Sequence, residues 1–155
     1  MIRALVLLLS SLVVFAAGQP NFSGDWQLNL GQSEYGGLPA PESLQRTIRQ
    51  AGTQISVDSV QKGTAGQVVS HYQYSTDGKP TTNKVQGGQA TAKSHWEGAV
   101  LVIETERAYK GAVLKQTERW RLSSDRKIMM VATVVDVPTG KFQVDQVFEK
   151  QAPKK

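Results

Sequence analysis

Arg46 falls between Leu44 and Ile48, Glu118 between Gln116 and Trp120, and Gln146 between Val144 and Phe148. In an extended chain, residues two apart share a face, so each of these polar groups sits on an otherwise apolar face. A packed core excludes an unpaired charge because burying it is very costly, whereas a hydrated cavity tolerates one. Small pockets that bind amphiphiles combine apolar walls with a few polar groups that fix orientation. Arg46 or Arg107, with Tyr72 or Tyr74, could hold a carboxylate there through charge-assisted hydrogen bonds. The candidate ligand-binding residues are Arg46, Tyr72, Tyr74, Trp96, Arg107, Glu118 and Trp120. Two alternatives stand beside this reading. Arg46 and Glu118 form an internal ion pair, or a one-residue register shift turns both outward. Trp26, Trp96 and Trp120 also suit core-anchoring roles.

The remaining candidates for chemistry are weak. His71 and His95 fall on the polar faces of their strands and could meet if those strands lay side by side. Two His without a third placed ligand make a poor metal site, so no metal is expected. Glu104 and Glu106 share one face of one strand, about 7 Å apart by strand rise. That face is expected to meet solvent, and spacing alone does not make a catalytic pair. The sequence holds no HExxH, no phosphate-binding Gly loop with Lys-Ser/Thr and no Gly-x-Ser-x-Gly elbow. No catalytic residue and no cofactor is therefore expected. With no Cys, thiol nucleophiles, thiolate metal sites and redox CxxC chemistry are excluded, as is a lipidated N-terminal Cys.

In the segments that carry these residues, from residue 21 onward, the dominant period is two rather than 3.6. In FSGDWQLNL (22–30), Phe22, Gly24, Trp26, Leu28 and Leu30 alternate with polar residues. GQSEYGGLPAPES (31–43) is rich in Gly and Pro and reads as a loop or a short helical turn. Strand-like runs follow at 44–51, 54–61, 67–75, 81–86, 89–97, 99–109, 112–122, 127–136 and 140–149, at intervals of about ten residues. Between them lie turn signals such as Gly52, Lys62-Gly63, Asp77-Gly78, Gly87-Gly88, Gly98, Lys110-Gly111 and Gly140. Ser124-Asp125-Arg126 sits where a turn is needed but lacks Gly. Ten strands with short connections predict an all-β, antiparallel up-and-down barrel, since closure removes the exposed edges of a long meander. The inward face would include Ile48, Ile55, Val57, Ser70, Ser94, Leu101, Ile103, Thr105, Leu114, Phe142, Val144 and Phe148 beside the candidate residues.

The amino end carries Arg3, an uncharged Leu- and Val-rich run from Ala4 to Ala17, and the small residues Ala16, Ala17 and Gly18. This is the three-part pattern of a signal peptide cut after Gly18, with Ala17 the other option and an uncleaved anchor the alternative. The domain expectation is signal 1–18, barrel 19–150 and a frayed tail 151–155. Removing residues 1–18 takes away one of 18 basic residues, so a net charge of +5 becomes +4. The basic residues are scattered, whereas a nucleic-acid site needs a clustered basic face with stacking aromatics. No nucleic-acid partner and no transmembrane segment beyond the signal is expected. An exported chain without Cys suits a bacterial envelope or secretion, periplasmic or extracellular.

Gly24-Asp25-Trp26 in the first strand resembles the Gly-x-Trp opening of the calycins, the group of lipocalins, fatty-acid-binding proteins and avidins. The loop after that strand and the ten-strand meander resemble the fatty-acid-binding layout in particular. FSGDWQLN, LPAPESL, YSTDGK, SHWEGAVLVIETE and TERWRLSSDRK resemble uncharacterised exported lipocalin-like proteins of environmental bacteria, which carry Asp-Gly-Lys in place of the last Asp-Arg-Lys. The resemblance spans residues 19–150. It implies a calycin-like barrel that binds a small hydrophobic or amphipathic molecule inside, for sequestration or transport, and is not an enzyme. It also implies an Arg or Lys laid across the Trp from the last strand, for which Lys150 is the candidate. The alternative is a ligand-free interaction or inhibitor module of the envelope, acting through loops and outer surface. Its protein partner is unspecified, and segment 31–43 with Tyr35 and Leu38 is the feature that suggests it.

Overall fold

The computed structural model describes residues 18–153, so all but the last residue of the segment 1–18 expected to be a signal peptide, and the last two lysines, lie outside the described residues. The strands are β1 (Gly24–Leu28), β2 (Ser43–Ala51), β3 (Gln54–Gly63), β4 (Gly66–Ser75) and β5 (Thr81–Val85). They continue as β6 (Gly88–Glu97), β7 (Val100–Tyr109), β8 (Ala112–Leu122), β9 (Ile128–Val137) and β10 (Gly140–Lys150). Each lies within two residues of the run that period two and the turn residues mark out. One 3₁₀ turn, Leu30–Gln32, is the sole helical element among the described residues.

All ladders are antiparallel, in the order β4-β3-β2-β1-β10-β9-β8-β7-β6-β5. The β1–β10 ladder, with Trp26 opposite Lys150, brings the two ends of the meander together. The remaining gap falls between β4 and β5, which are consecutive in the chain yet form no ladder. This departs from the expectation that every neighbouring pair would zip together. Pro80, just before β5, has no N–H to donate. The seam is instead bridged by Asn83, a residue 5% exposed. Its side-chain amide accepts from the Gln73 N–H at 2.7 Å and donates to the Gln73 carbonyl at 3.0 Å, as a backbone partner would.

Up-and-down topology places four hairpin tips at one end, the mouth: 63–66, 85–88, 109–112 and 137–140. The β1–β2 connection also lies on the mouth side, whereas the β2–β3, β4–β5, β6–β7 and β8–β9 connections, and residues 20–23, lie at the opposite end. There Phe22, Trp26, Ile48, Ile55, Leu101, Trp120, Met129 and Phe148 are at most 1% exposed and form an apolar floor. Phe22 meets Trp120 edge-on at 5.6 Å and stacks on Trp96 at 6.1 Å. The Trp26 indole donates to the Phe22 carbonyl at 2.9 Å, so its N–H is satisfied inside the core.

Segment 31–43 builds wall rather than lid. Beyond the 3₁₀ turn, Glu34 bridges to Asp145, continuing the line of β1 along β10. Gly36 (φ 55°) passes so close to β10 that a Cβ would collide with the Gln143 carbonyl oxygen. The same excursion breaks the alternation predicted for 22–30, since Leu30 lies in the turn and is 41% exposed.

The connections after β4 and β8 are built alike. Ser75-Thr76-Asp77-Gly78-Lys79 and Ser123-Ser124-Asp125-Arg126-Lys127 each fold around an aspartate. The serine hydroxyl donates to that carboxylate, at 2.7 and 2.6 Å, and the lysine N–H donates to the same oxygen, at 3.0 and 3.1 Å. The fourth residue is left-handed in both, Gly78 at φ 80° and Arg126 at φ 59°.

The Gly-x-Trp residues have a geometric reason. Lys150 lies across Gly24, where a Cβ would stand 2.7 Å from its Cε, and its Nζ sits 5.3 Å from the centre of the Trp26 ring. Glycine leaves room for the lysine stem, and the indole face attracts the ammonium. Gln151 extends the pairing one residue, its N–H donating to the Asp25 carbonyl at 2.8 Å.

Candidate functional site

Register fixes which side chains face inward. Trp26 on β1 is opposite Arg46 on β2, which is opposite Ser59 on β3 and then Ser70 on β4. On the other wall, Ser94, Ile103, Glu118 and Thr133 form one cross-strand row over β6 to β9. Arg46, Tyr72, Tyr74, Arg107, Glu118 and Trp120 therefore all lie on the inward parity, as period two predicts.

Exposure along the inner wall rises toward the mouth. On β7 it runs from Leu101 and Ile103, fully buried, through half-buried Thr105 and Arg107. On β4 it runs from Tyr74 at 6% through half-buried Tyr72 and Ser70 to Val68 at 48%. The floor is dry, and the upper wall is reached by water. A polar layer separates the two.

Arg46 lies in that layer. Its guanidinium carbon is 4.9 Å from the Phe148 ring centre and 5.6 Å from that of Trp120. Its Nη1 is sealed from solvent and has no hydrogen-bond partner. Glu118, 7% exposed, faces the other edge of the same indole. One carboxylate oxygen accepts from Trp120 Nε1 at 2.7 Å, the other from Gln116 Nε2 at 2.6 Å. Arg46 and Glu118 form no ion pair; they meet the same indole at its face and at its N–H edge. Tyr74 stacks on Tyr72 at 6.3 Å and meets Trp120 edge-on at 6.4 Å. Burial, with Glu118 adding to it, pushes its phenol well above the ordinary tyrosine range, and Arg46 partly opposes the shift.

Two predicted residues stand apart from this cluster. Trp96 lies at the floor end, in one cross-strand row with Leu101 and Trp120, and stacks on Phe22, which meets Trp120 edge-on. Arg107 lies mouthward of Glu118 and rests on the Tyr109 ring at 5.7 Å. Two further contributors, Tyr35 and Thr133, escape sequence reasoning as inner-wall residues, while Ser94 takes the inward place expected of it. Tyr35 reaches in from the wall extension, its hydroxyl accepting from Gln146 Nε2 at 3.0 Å. Ser94 Oγ is buried without a partner. Thr133 belongs to β9, whose run IMMVATVVDV is apolar on both faces, so period two gives it no orientation.

The two histidines do not meet, because β4 and β6 are not neighbours in the sheet. Each faces outward beside its own carboxylate. His71 Nδ1 is 2.6 Å from Asp58, which also accepts from Arg49 at 2.9 Å. The hydrogen bond with His71, then that with Arg49, hold the Asp58 carboxyl below its usual range. His95 Nε2 is 3.3 Å from Glu97, which also takes the Arg119 guanidinium. No group of three metal-ligating side chains occurs among the described residues. The outer wall carries two hollows of about 330 and 260 Å3. The larger is edged by Lys93, Glu104, Glu106 and Lys115, where Lys115 pairs with Glu106 at 3.2 Å.

No family model matches the chain, and no curated protein matches its sequence. Solved structures do match by fold. A zebrafish ileal bile acid-binding protein complexed with cholic acid aligns with 84% of this chain and 98% of its own, at TM-score 0.59 and 16% identity. A secretory abundant heat soluble (SAHS) protein from Ramazzottius varieornatus aligns with 88% of this chain and 98% of its own, at TM-score 0.65 and 11% identity. At such identities the likeness is one of architecture, and the chain has the ten-stranded, calycin-like meander barrel of these proteins.

Proposed function

We propose that this chain is an exported β-barrel that binds a small hydrophobic or amphipathic molecule in the mouth-side half of its interior, to sequester or carry it. The observation that carries this reading is half-buried Arg46, whose guanidinium lies against two aromatic rings with Nη1 sealed from solvent and unpartnered. A buried donor without an acceptor is costly, and a ligand oxygen lowered from the mouth would satisfy it. The half-exposed inner wall above it offers the path, and Leu44, Leu114 and Val144 offer apolar surface for a hydrocarbon chain. The likeness in fold to a bile acid-binding protein complexed with cholic acid supports this reading. The signal-like amino end supports export.

Tryptophan fluorescence of the chain from residue 19 onward, titrated with twelve-carbon amphiphiles below their micellar range, tests this reading. Saturable quenching that weakens about tenfold in Arg46→Met, a loss of the size expected for one charge-assisted contact, is the expected result. A barrel that gives no saturable change with any amphiphile, and carries no lipid in native mass spectrometry, refutes it. Val69 and Val113, 68% and 55% exposed near the hairpin tips, favour the second reading of a module acting through its outer surface. A specific protein partner together with an interior closed to amphiphiles would establish it.

A further inference from the structure

We propose that the preferred ligand is a zwitterionic amphiphile, whose headgroup joins an ammonium to an anionic group, rather than a simple fatty acid. This rests on the reading that the interior binds an amphiphile, and it names the class. The polar layer holds one fixed cation and one fixed anion. Arg46 covers the Trp120 face at 5.6 Å, while Glu118 accepts from the Trp120 N–H edge at 2.7 Å. The two charges contact the indole at different places and make no ion pair, so neither neutralises the other within ion-pair distance. Glu118 is bound only by neutral donors, Gln116 and Trp120, which leave its negative charge without a cationic contact. Arg46 keeps a sealed N–H without an acceptor.

A lone carboxylate would satisfy Arg46 but bring a second negative charge into the polar layer that holds Glu118. Like charges at close range repel strongly where water is scarce. A lone ammonium would meet Glu118 but face Arg46. A headgroup with both charges a few bonds apart gives each fixed charge its opposite, and its own charges need no counterion when water leaves. The stacked Tyr72 and Tyr74 rings add a surface that attracts an ammonium. On this arrangement the anion lies toward Arg46, the ammonium toward Glu118 and the tyrosines, and the hydrocarbon chain toward Leu114 and Phe142 near the mouth.

The test compares three probes of equal chain length at pH 7: N-dodecyl-N,N-dimethylglycine, dodecanoate and dodecyltrimethylammonium. Binding is followed by calorimetry and tryptophan quenching. The expected result is that the zwitterion binds roughly tenfold tighter than either singly charged probe. Glu118→Gln, which keeps an acceptor for Trp120, should erase most of that margin by strengthening dodecanoate. Dodecanoate binding as tightly as the zwitterion to the unaltered protein overturns the proposal while leaving the amphiphile reading intact. No binding by any probe overturns both. The ranking on the unaltered protein stands without the variant, should Glu118→Gln fail to fold.

Discussion

Replacing Arg126 by glycine should make the protein more stable, and its twin turn supplies the reciprocal experiment. Arg126 holds φ 59°, a left-handed conformation that crowds its Cβ against the following carbonyl. That crowding costs about 1–2 kcal/mol in a residue with a Cβ. Glycine removes it but gains freedom in the unfolded chain, which offsets about 0.5–1 kcal/mol. The net gain is about 1 kcal/mol, or a Tm rise of about 4 °C for a domain of this size. Little is lost in exchange. Arg126 is exposed, and its backbone N–H bond to the Ser123 carbonyl, 2.9 Å, survives the change. Gly78 occupies the same place in the other turn at φ 80°, so Gly78→Ala should lower Tm by a similar amount. Thermal melts by circular dichroism give the first reading. Urea unfolding with an unchanged slope gives the second. A Tm for Arg126→Gly at or below that of the parent, or shifts of the same sign in both turns, would refute the reasoning.

Both turn aspartates titrate low. Hydrogen bonds from Ser75, then Lys79, hold Asp77 at about 2, and Asp125 is lowered by Ser123, then Lys127. Folded values below the unfolded one mean that this stability is present above about pH 4 and disappears as pH falls toward 2. Asp77→Asn should flatten the acid side of a pH–stability curve, and an unchanged slope between pH 4 and 2 would contradict it. Asn83→Ala strips Gln73 of both backbone partners, so stability should fall by about 2 kcal/mol, with hydrogen exchange rising in β4 and β5 before the other strands. Gly24→Ala should cost about 2 kcal/mol, chiefly because Gly24 holds φ 144°, which a residue with a Cβ rarely adopts, while the flexible Lys150 stem can move aside, so Lys150→Ala should recover only a small part of the loss in the double variant. Near-complete recovery in the double variant would show instead that the lysine stem is what demands the glycine. Tyr74 should escape a spectrophotometric alkaline titration that ionises an unfolded tyrosine near pH 10, and its protonated burial should stabilise the fold until pH rises past that point.

Strand positions were readable because one face of almost every strand is apolar and almost every turn carries Gly. Where those two signals failed, so did the reading. The IMMVATVVDV strand is apolar on both faces, and its inward Met129, Val131 and Thr133 emerge only from pairing with β8 and β10. The inward Arg46 and Glu118 were legible as exceptions to an apolar period. That both would meet one indole was not, since Trp120 shares Glu118's face in the sequence but meets Arg46 only through barrel closure. The Asn83 bridge leaves no trace in composition. An Asn between Thr82 and Lys84 reads as an ordinary solvent-facing residue until the missing β4–β5 ladder is seen.

That missing ladder makes the chain order partly arbitrary. The sheet already runs from β5 through β10 and β1 to β4 as one uninterrupted sequence of neighbours. The start of β1 and the end of β10 lie side by side at the floor end, with Trp26 opposite Lys150. A circular permutant that joins Gln151 to Asn21 through a short flexible linker and opens between Asp77 and Gly78 would break no ladder. Its new ends would fall on the two strands that are edges already. The closing β1–β10 pairing, now between residues more than a hundred positions apart, would become a local hairpin contact. With the longest loop closure removed, such a permutant should fold faster than the parent.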